Sequence, residues 1–309
     1  MRHLKQNDII PIFFAVDDNY APFLGVAMRS LIDNASPTRE YRIYVLVDRL
    51  SEKNTEILCS MAQKNVRVEI VPVTKKLDAL GGMLHLRDYY TKATYYRFFI
   101  PALFPQYEKG LYLDCDIIVK GDVSELYDTA LDGRILAAAP EEVMLKVDVF
   151  GTYVEAVLDV PREEYFSAGI LVMNLEKMRR TSLEEQFVAL LSRRTFRVTQ
   201  DQDYLNVLCR GDTVLLDDSW NKTAWEQVAV TSPPSIIHYK INWKPWHYEG
   251  VRFEEDFWHY ADKTPYAAML YKMRDTYSQA QKDNDQLQYQ QLVELALSDT
   301  AKARQGILV

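Results

Sequence analysis

The chain has 309 residues, 48% hydrophobic and 26% charged, enough apolar side chain to bury the core of one large domain or of a domain with an extension. Its formal net charge of −8 argues against a nucleic-acid binder, whose phosphate contacts need a surplus of Lys and Arg, so any anionic ligand must meet a local cation. Cys59, Cys115 and Cys209 are odd in number and widely spaced, without the C-x-x-C pair of a zinc or redox motif, and a reducing, cytoplasmic setting is expected.

Residues 1–8 are polar and lead into a strand-like run, and no apolar stretch approaches eighteen residues, so neither a signal peptide nor a membrane span is expected. Residues 9–16 (IIPIFFAV) are continuously apolar, as a strand buried on both faces must be. From Tyr20 onward Phe23, Leu24, Ala27, Met28 and Leu31 recur at helical spacing and predict a helix packed on that strand's sheet. Residues 41–47 read as a strand, Ser51 as the N-cap of a helix carrying Ile57, Leu58 and Met61, and residues 66–72 as a strand again. Such alternation predicts a mostly parallel sheet with helices on both faces. Residues 94–104 read as an aromatic-rich helix, and residues 110–119, 135–140 and 168–175 as further strands. After about Asp262 a helical stripe (Tyr266, Met269, Leu270, Met273, Tyr277) precedes a Gln-rich, weakly amphipathic segment. This tail has six Lys/Arg and six Asp/Glu and lacks the cationic face of an interfacial membrane helix; packing on its own domain or on a second copy, as a homodimer, is expected.

Two features carry chemistry. In Leu111-Tyr112-Leu113-Asp114-Cys115-Asp116-Ile117-Ile118-Val119 two carboxylates interrupt an apolar run, where burying them unpaired is costly. If the segment is one strand, Asp114 and Asp116 point to one side and Cys115 to the other, and two hard oxygen ligands converge as a divalent cation requires. The pattern alone is weak, since Asp201-Gln202-Asp203 repeats it and a surface pair capping a turn has the same sequence. Downstream, His238 follows an apolar run with Lys244 six residues on; imidazole suits manganese and an ammonium suits a diphosphate, although a lone half-buried histidine is more often just hydrogen-bonded.

The order of these segments resembles the family 8 glycosyltransferases, which include bacterial lipopolysaccharide galactosyl- and glucosyltransferases and glycogenin. Six matches run in family order over residues 9–250: Phe14-Ala15-Val16-Asp17-Asp18-Asn19-Tyr20; Tyr95-Tyr96-Arg97; Leu111 through Asp116; Tyr165-Phe166-Ser167-Ala168-Gly169-Ile170; Gln200-Asp201-Gln202-Asp203; and His238 with Lys244-Pro245-Trp246. The resemblance implies an α/β fold: a single nucleotide-binding, Rossmann-like domain of the GT-A type over residues 9–260, with a mixed, mostly parallel sheet, plus a C-terminal helical extension over 261–309. It implies a retaining hexosyltransferase that takes glucose or galactose from UDP-glucose or UDP-galactose to a glycan or glycolipid acceptor, in a bacterial lipopolysaccharide or similar cell-surface setting, at the cytoplasmic face of the membrane with peripheral contact.

Residue by residue, the resemblance implies that Asp17 and Asn19 hold uracil and ribose, with backbone contacts from Ala15; a turn-and-cap cluster before the helix is the structural alternative. Asp114, Asp116 and His238 would hold Mn²⁺, with Mg²⁺ as the substitute, and Cys115 and Ser167 would line the donor site. Lys244 and Arg97 would add charge at the phosphates, unless Arg97 is a structural ion pair. Gln202 would lie beneath the anomeric carbon and Asp201 would hold sugar hydroxyls. An amide is a poor nucleophile, so same-face attack is expected, with Asp203 as the rival nucleophile. Glu141 and Trp243 would meet the acceptor. The chain departs from the family pattern at Ser167, commonly Asn, and at Ile241 and Asn242, where a glycine usually approaches the phosphates. A catalytically weak or inactive UDP-sugar-binding protein is therefore the alternative. A nucleotidyltransferase is disfavoured because Asp17-Asp18-Asn19 is acidic where a Gly-rich phosphate loop belongs.

Overall fold

The computed structural model describes residues 9–73, 92–226 and 228–307; the polar N-terminal segment read above lies outside them. Strand β1 (Ile9–Ala15) is buried along almost its whole length, and the helix Ala21–Asp33 lays Phe23, Leu24, Ala27, Met28 and Leu31 on the sheet. Each such side chain contributes about 1.5–3 kcal/mol by leaving water, which is why the continuous apolar run must be a central strand. Strand β2 (Glu40–Val47), the helix Glu52–Ser60 capped by Ser51 through the Asn54 N–H, and β3 (Val66–Pro72) complete the first half.

The second half holds β4 (Lys109–Leu113), β5 (Ile117–Val119), β6 (Leu136–Pro140), β7 (Phe166–Asn174), β8 (Thr213–Leu215), β9 (Lys222–Thr223) and β10 (Ile236–His238). The main sheet has the order β3-β2-β1-β4-β7-β6-β8 and a second sheet the order β5-β10-β9. In the main sheet β7 runs antiparallel to β4 and β6 and the other pairs are parallel. The chain builds outward from β1 to β3 and then returns to place β4 on the other side of β1. That reversal leaves a crevice at the carboxyl ends of β1 and β4, where open α/β sheets collect ligands.

Two expectations need correction. Residues 110–119 are not one strand: β4 belongs to the main sheet, β5 pairs antiparallel with β10, and Asp114-Cys115-Asp116 is the crossing between them. Strand alternation therefore does not aim the two carboxylates; the change of sheet does. Asp114 N donates to Gly169 O on β7 at 2.8 Å, while Tyr239 N, just past β10, donates to Asp116 O at 3.0 Å. Nor do residues 94–104 form one helix: a 3₁₀ segment (Lys92–Phe98) is followed by a single α-turn (Ile100–Leu103). Pro101 lacks an N–H and its ring would meet the carbonyl of Arg97, which excludes a continuous helix.

The β6–β7 ladder shifts register between Ala138 and Pro140. Beyond that irregularity side chains of the helix Asp201–Leu208 take over the pairing of β7. Asn206 exchanges two 2.9 Å hydrogen bonds with the backbone of Phe166, and Gln202 Oε1 accepts from Ala168 N at 2.9 Å. Residues 202 and 206 are one helical turn apart, 166 and 168 point the same way along a strand, and the two periodicities meet. The helices Glu254–Ala261, Ala267–Asp275 and Gln279–Arg304 finish the chain; the last packs across the helix Asp148–Tyr153 and buries Ala296, Asp299 and Thr300. Among the described residues no helix is long and apolar enough to cross a membrane.

Candidate active site

At the crevice, Asp114, Asp116 and His238 each offer one ligand atom, all within 4.8 Å of one another. His238 Nε2 lies 3.1 Å from Asp116 Oδ1 and 3.8 Å from Asp114 Oδ2. Its Nδ1 lies 2.9 Å from Asn221 Oδ1, and the Asn221 amide nitrogen faces Pro140 O at 3.5 Å. Asn221 Oδ1 thus accepts the Nδ1–H and leaves Nε2 as the atom aimed at the carboxylates, hydrogen-bonded to Asp116 Oδ1 here and the nitrogen that would give its lone pair to a metal ion. Two hard oxygens and an imidazole nitrogen suit Mn²⁺ or Mg²⁺. Gly169 floors this cluster: a Cβ there would come within 2.5 Å of both Asp114 Oδ2 and His238 Cε1. Lys244 is buried, with Nζ 2.6 Å from Asp116 Oδ2 and donating to Tyr239 O. Burial works to raise the Asp116 carboxyl, but Lys244 and His238 outweigh it and hold it well below the usual carboxylate range.

Arg97, 3% exposed, ties the cluster to its neighbours. Its guanidinium reaches Asp114 Oδ1 and Asp201 Oδ2, each at 3.1 Å, donates to Ala168 O, and stacks 4.3 Å above the Tyr112 ring. This is the structural ion pair weighed above, although the residue also lines the cleft. Burial pushes the Asp201 carboxyl up to about 7; Arg97 opposes that rise and the nearby Asp114 charge adds to it.

Gln202 is fixed at both ends, since Oε1 accepts from Ala168 N and Nε2 donates to Tyr165 OH at 3.2 Å. Tyr165 in turn donates to Asp203 Oδ1 at 2.7 Å. Asp203 also accepts from Tyr153 OH, Thr199 Oγ1 and Thr199 N, is fully buried and does not line the cleft, which removes it as a rival nucleophile. The turn before this helix is costly. Gln200 has φ +51° and ψ −115°, a sparsely populated conformation that costs about 1–3 kcal/mol for a residue with a Cβ, and its buried amide meets no hydrogen-bond partner among the described residues.

The cleft opens to solvent. Ala15, Asp17, Cys115, Glu141, Ser167, Asp201, Gln202 and Lys244 all line it; Asn19 and Trp243 do not. Asp17 Oδ1 accepts from Asn19 N and Tyr20 N, both at 3.0 Å, which is the turn-and-cap arrangement. Cys115 donates its thiol to Ala15 O at 3.2 Å, and burial raises it well above the ordinary thiol range. Glu141 caps the helix Glu142–Lys146 and is gripped by Lys240 Nζ at 2.9 and 2.8 Å, so its carboxylate already has a cation. Trp243, 42% exposed, lines a separate hollow with Trp225 and Arg252. Ile241 adopts φ +57°, the left-handed conformation a glycine takes without strain. Sequence reasoning passed over Asn221 and Lys240, and quoted Tyr165 and Gly169 only within a motif. Asn221 carries no local pattern, and its partner is 17 residues away.

A mixed α/β sheet with a carboxylate–imidazole cluster and a buried lysine at its switch point defines the GT-A glycosyltransferase fold. The chain belongs to glycosyl transferase family 8, whose sequence model matches residues 11–250. It is 26% identical to General stress protein A of Bacillus subtilis over 84% of this chain and 96% of that one. It is 25% identical to the lipopolysaccharide 1,2-glucosyltransferase of Escherichia coli over 82% and 78% of the two chains. Among solved structures it resembles the galactosyltransferase LgtC in complex with donor and acceptor sugar analogs (TM-score 0.68, 26% identity, 83% and 96% covered). It also resembles the bifunctional glycosyltransferase WbbM (TM-score 0.76, 28% identity), of which the chain spans 52%.

Proposed function

We propose that this protein transfers a hexose, glucose or galactose, from a UDP-sugar to a glycan or glycolipid acceptor with retention at the anomeric carbon. The observation that carries the reading is the Asp114–Asp116–His238 cluster with Lys244 beside it at the carboxyl ends of β1 and β4. Those three side chains would hold Mn²⁺, which when bound neutralises the charge that grows on the departing diphosphate. Lys244 stands where it can move from Asp116 to a phosphate oxygen. Asp17 and the Ala15 backbone line the uridine end of the cleft. Asp201, held by Arg97, would face sugar hydroxyls, and Gln202, clamped by Ala168 and Tyr165, would lie beneath the anomeric carbon. An amide so fixed does not form a covalent sugar adduct readily, which favours attack by the acceptor on the face the diphosphate leaves.

Relatives named as a lipopolysaccharide 1,2-glucosyltransferase and a lipopolysaccharide 1,3-galactosyltransferase support a hexose donor and a cell-surface glycan acceptor. We assign the transferase domain to residues 9–260 and read 261–309 as an extension that adds Leu292 to the cleft wall. The test is UDP release from UDP-glucose, UDP-galactose and their N-acetyl forms, with Mn²⁺, Mg²⁺ or chelator. One hexose donor is expected to turn over, only with metal, and not in Asp116→Ala. Metal-dependent UDP binding without turnover of any donor, even with glycan acceptors, would instead identify a UDP-sugar-binding protein.

A further inference from the structure

The C-terminal helix Gln279–Arg304 looks weakly amphipathic in sequence, yet it carries a narrow functional stripe. Asp285, Tyr289, Leu292, Ala296 and Asp299 recur at alternating spacings of four and three, so they share one helical face. The middle of the stripe is apolar: Tyr289 packs edge-on against Phe150 and Trp225, and Leu292 reaches the cleft. Each end is a carboxylate with a task. Asp299, fully buried, is ion-paired with Arg197, four residues before Asp201.

Asp285, at the other end, meets residues 239–248, the segment that follows His238 and holds Lys240 and Lys244. Its backbone carbonyl accepts from Asn242 Nδ2 at 2.7 Å. Its Oδ2 accepts from both Tyr248 OH, at 2.7 Å, and Tyr277 OH, at 2.8 Å. Tyr277 in turn stacks flat on His247, with ring centroids 4.0 Å apart. Fourteen residues separate the two carboxylates, about 21 Å of helix, so one rod links the turn before Asp201 to the segment over the diphosphate end of the cleft.

We propose that Asp285 is a positioning residue that holds residues 239–248, and through them Lys244, in place over the cleft, making the C-terminal helix part of the donor-binding apparatus. The consequence for the donor rests on the proposed role of Lys244; the brace itself does not. Asp285→Ala removes the shared acceptor of two tyrosine hydroxyls, whereas Asp285→Asn keeps one oxygen able to accept both.

Two measurements on the full chain test it. Hydrogen exchange without ligand is expected to show backbone amides of residues 239–248 exchanging at least tenfold faster in Asp285→Ala, with wild-type protection in Asp285→Asn. Protection unchanged in Asp285→Ala, or lost equally in Asp285→Asn, overturns the brace. The second is UDP affinity in Mn²⁺ together with donor KM and kcat. Asp285→Ala is expected to weaken UDP and raise KM tenfold or more with kcat within about threefold, and the double variant Tyr248→Phe/Tyr277→Phe should match it. Unchanged UDP affinity alongside loosened amides overturns the functional part. A wild-type protein that fails to bind UDP defeats the donor reading of Lys244, and the exchange result still decides the brace.

Discussion

Gly169→Ala is a one-carbon test of whether the Asp114–His238 geometry matters. A Cβ at this position would sit 2.5 Å from Asp114 Oδ2 and 2.5 Å from His238 Cε1, closer than carbon and its neighbours tolerate. Neither neighbour can yield cheaply. Asp114 is anchored by Arg97 and through its N–H to Gly169 O, and His238 is held by Asn221 and by its place on β10. Relief requires each to move by roughly 0.5–1 Å, and overpacking of this kind costs about 1–3 kcal/mol of stability. The effect on the metal exceeds the effect on the fold, because disturbing ligand orientation typically lowers affinity about 10–100-fold. Calorimetric Mn²⁺ binding on a variant whose circular dichroism matches wild type is the assay. An affinity within twofold of wild type would refute the claim that this cluster is the metal site.

Three further outcomes follow from the same geometry. Burial, aided by Lys244, lowers the pKa of His247 from 6.5 to about 4, so below pH 6.5 the unfolded chain takes up a proton that the folded one refuses. Stability is therefore full above pH 6.5 and falls as pH drops to about 4, by at most about 3 kcal/mol. Denaturant melts should show that loss in wild type and a shallower one in His247→Phe, which keeps the stack on Tyr277. Tyr165→Phe removes the acceptor of Gln202 Nε2 and one donor to buried Asp203. It should lower kcat at least tenfold with little change in donor KM, and cost about 1–3 kcal/mol in a thermal melt. Asn221→Ala frees the His238 imidazole to take the other tautomer and should weaken Mn²⁺ about 10–100-fold while leaving the fold intact; unchanged affinity would show that Asn221 does not set the tautomer.

How much of this was legible in the sequence depended on whether the cause was local. Residues 9–72 read correctly because the central strand β1 must be continuously apolar, its helix must carry a stripe, and the edge strand β3 alternates apolar with polar residues. The types of ligand were legible for the same kind of reason, since Asp114, Asp116 and His238 stand out against apolar runs. Their convergence was expected on the wrong ground, strand alternation; it comes from the chain changing sheets between β4 and β5. Pro101 signalled a break that the aromatic periodicity of residues 94–104 concealed. Asn221 and Lys240 act on partners 17 and 99 residues away, and Asp285 joins Tyr277, 8 residues back, to Tyr248 and Asn242, 37 and 43 residues back; nothing in their neighbourhoods marks them. The stripe on the last helix was blurred because both of its ends are aspartates, which a hydrophobic pattern counts against an inward face.

The most direct test of the central claim is a calorimetric titration of UDP into wild type and Asp116→Ala, each with Mn²⁺ and with chelator. The account predicts UDP binding to wild type at least a hundredfold tighter with Mn²⁺ than with chelator, and no such difference in Asp116→Ala. Equal UDP affinity in wild type with and without metal would contradict it.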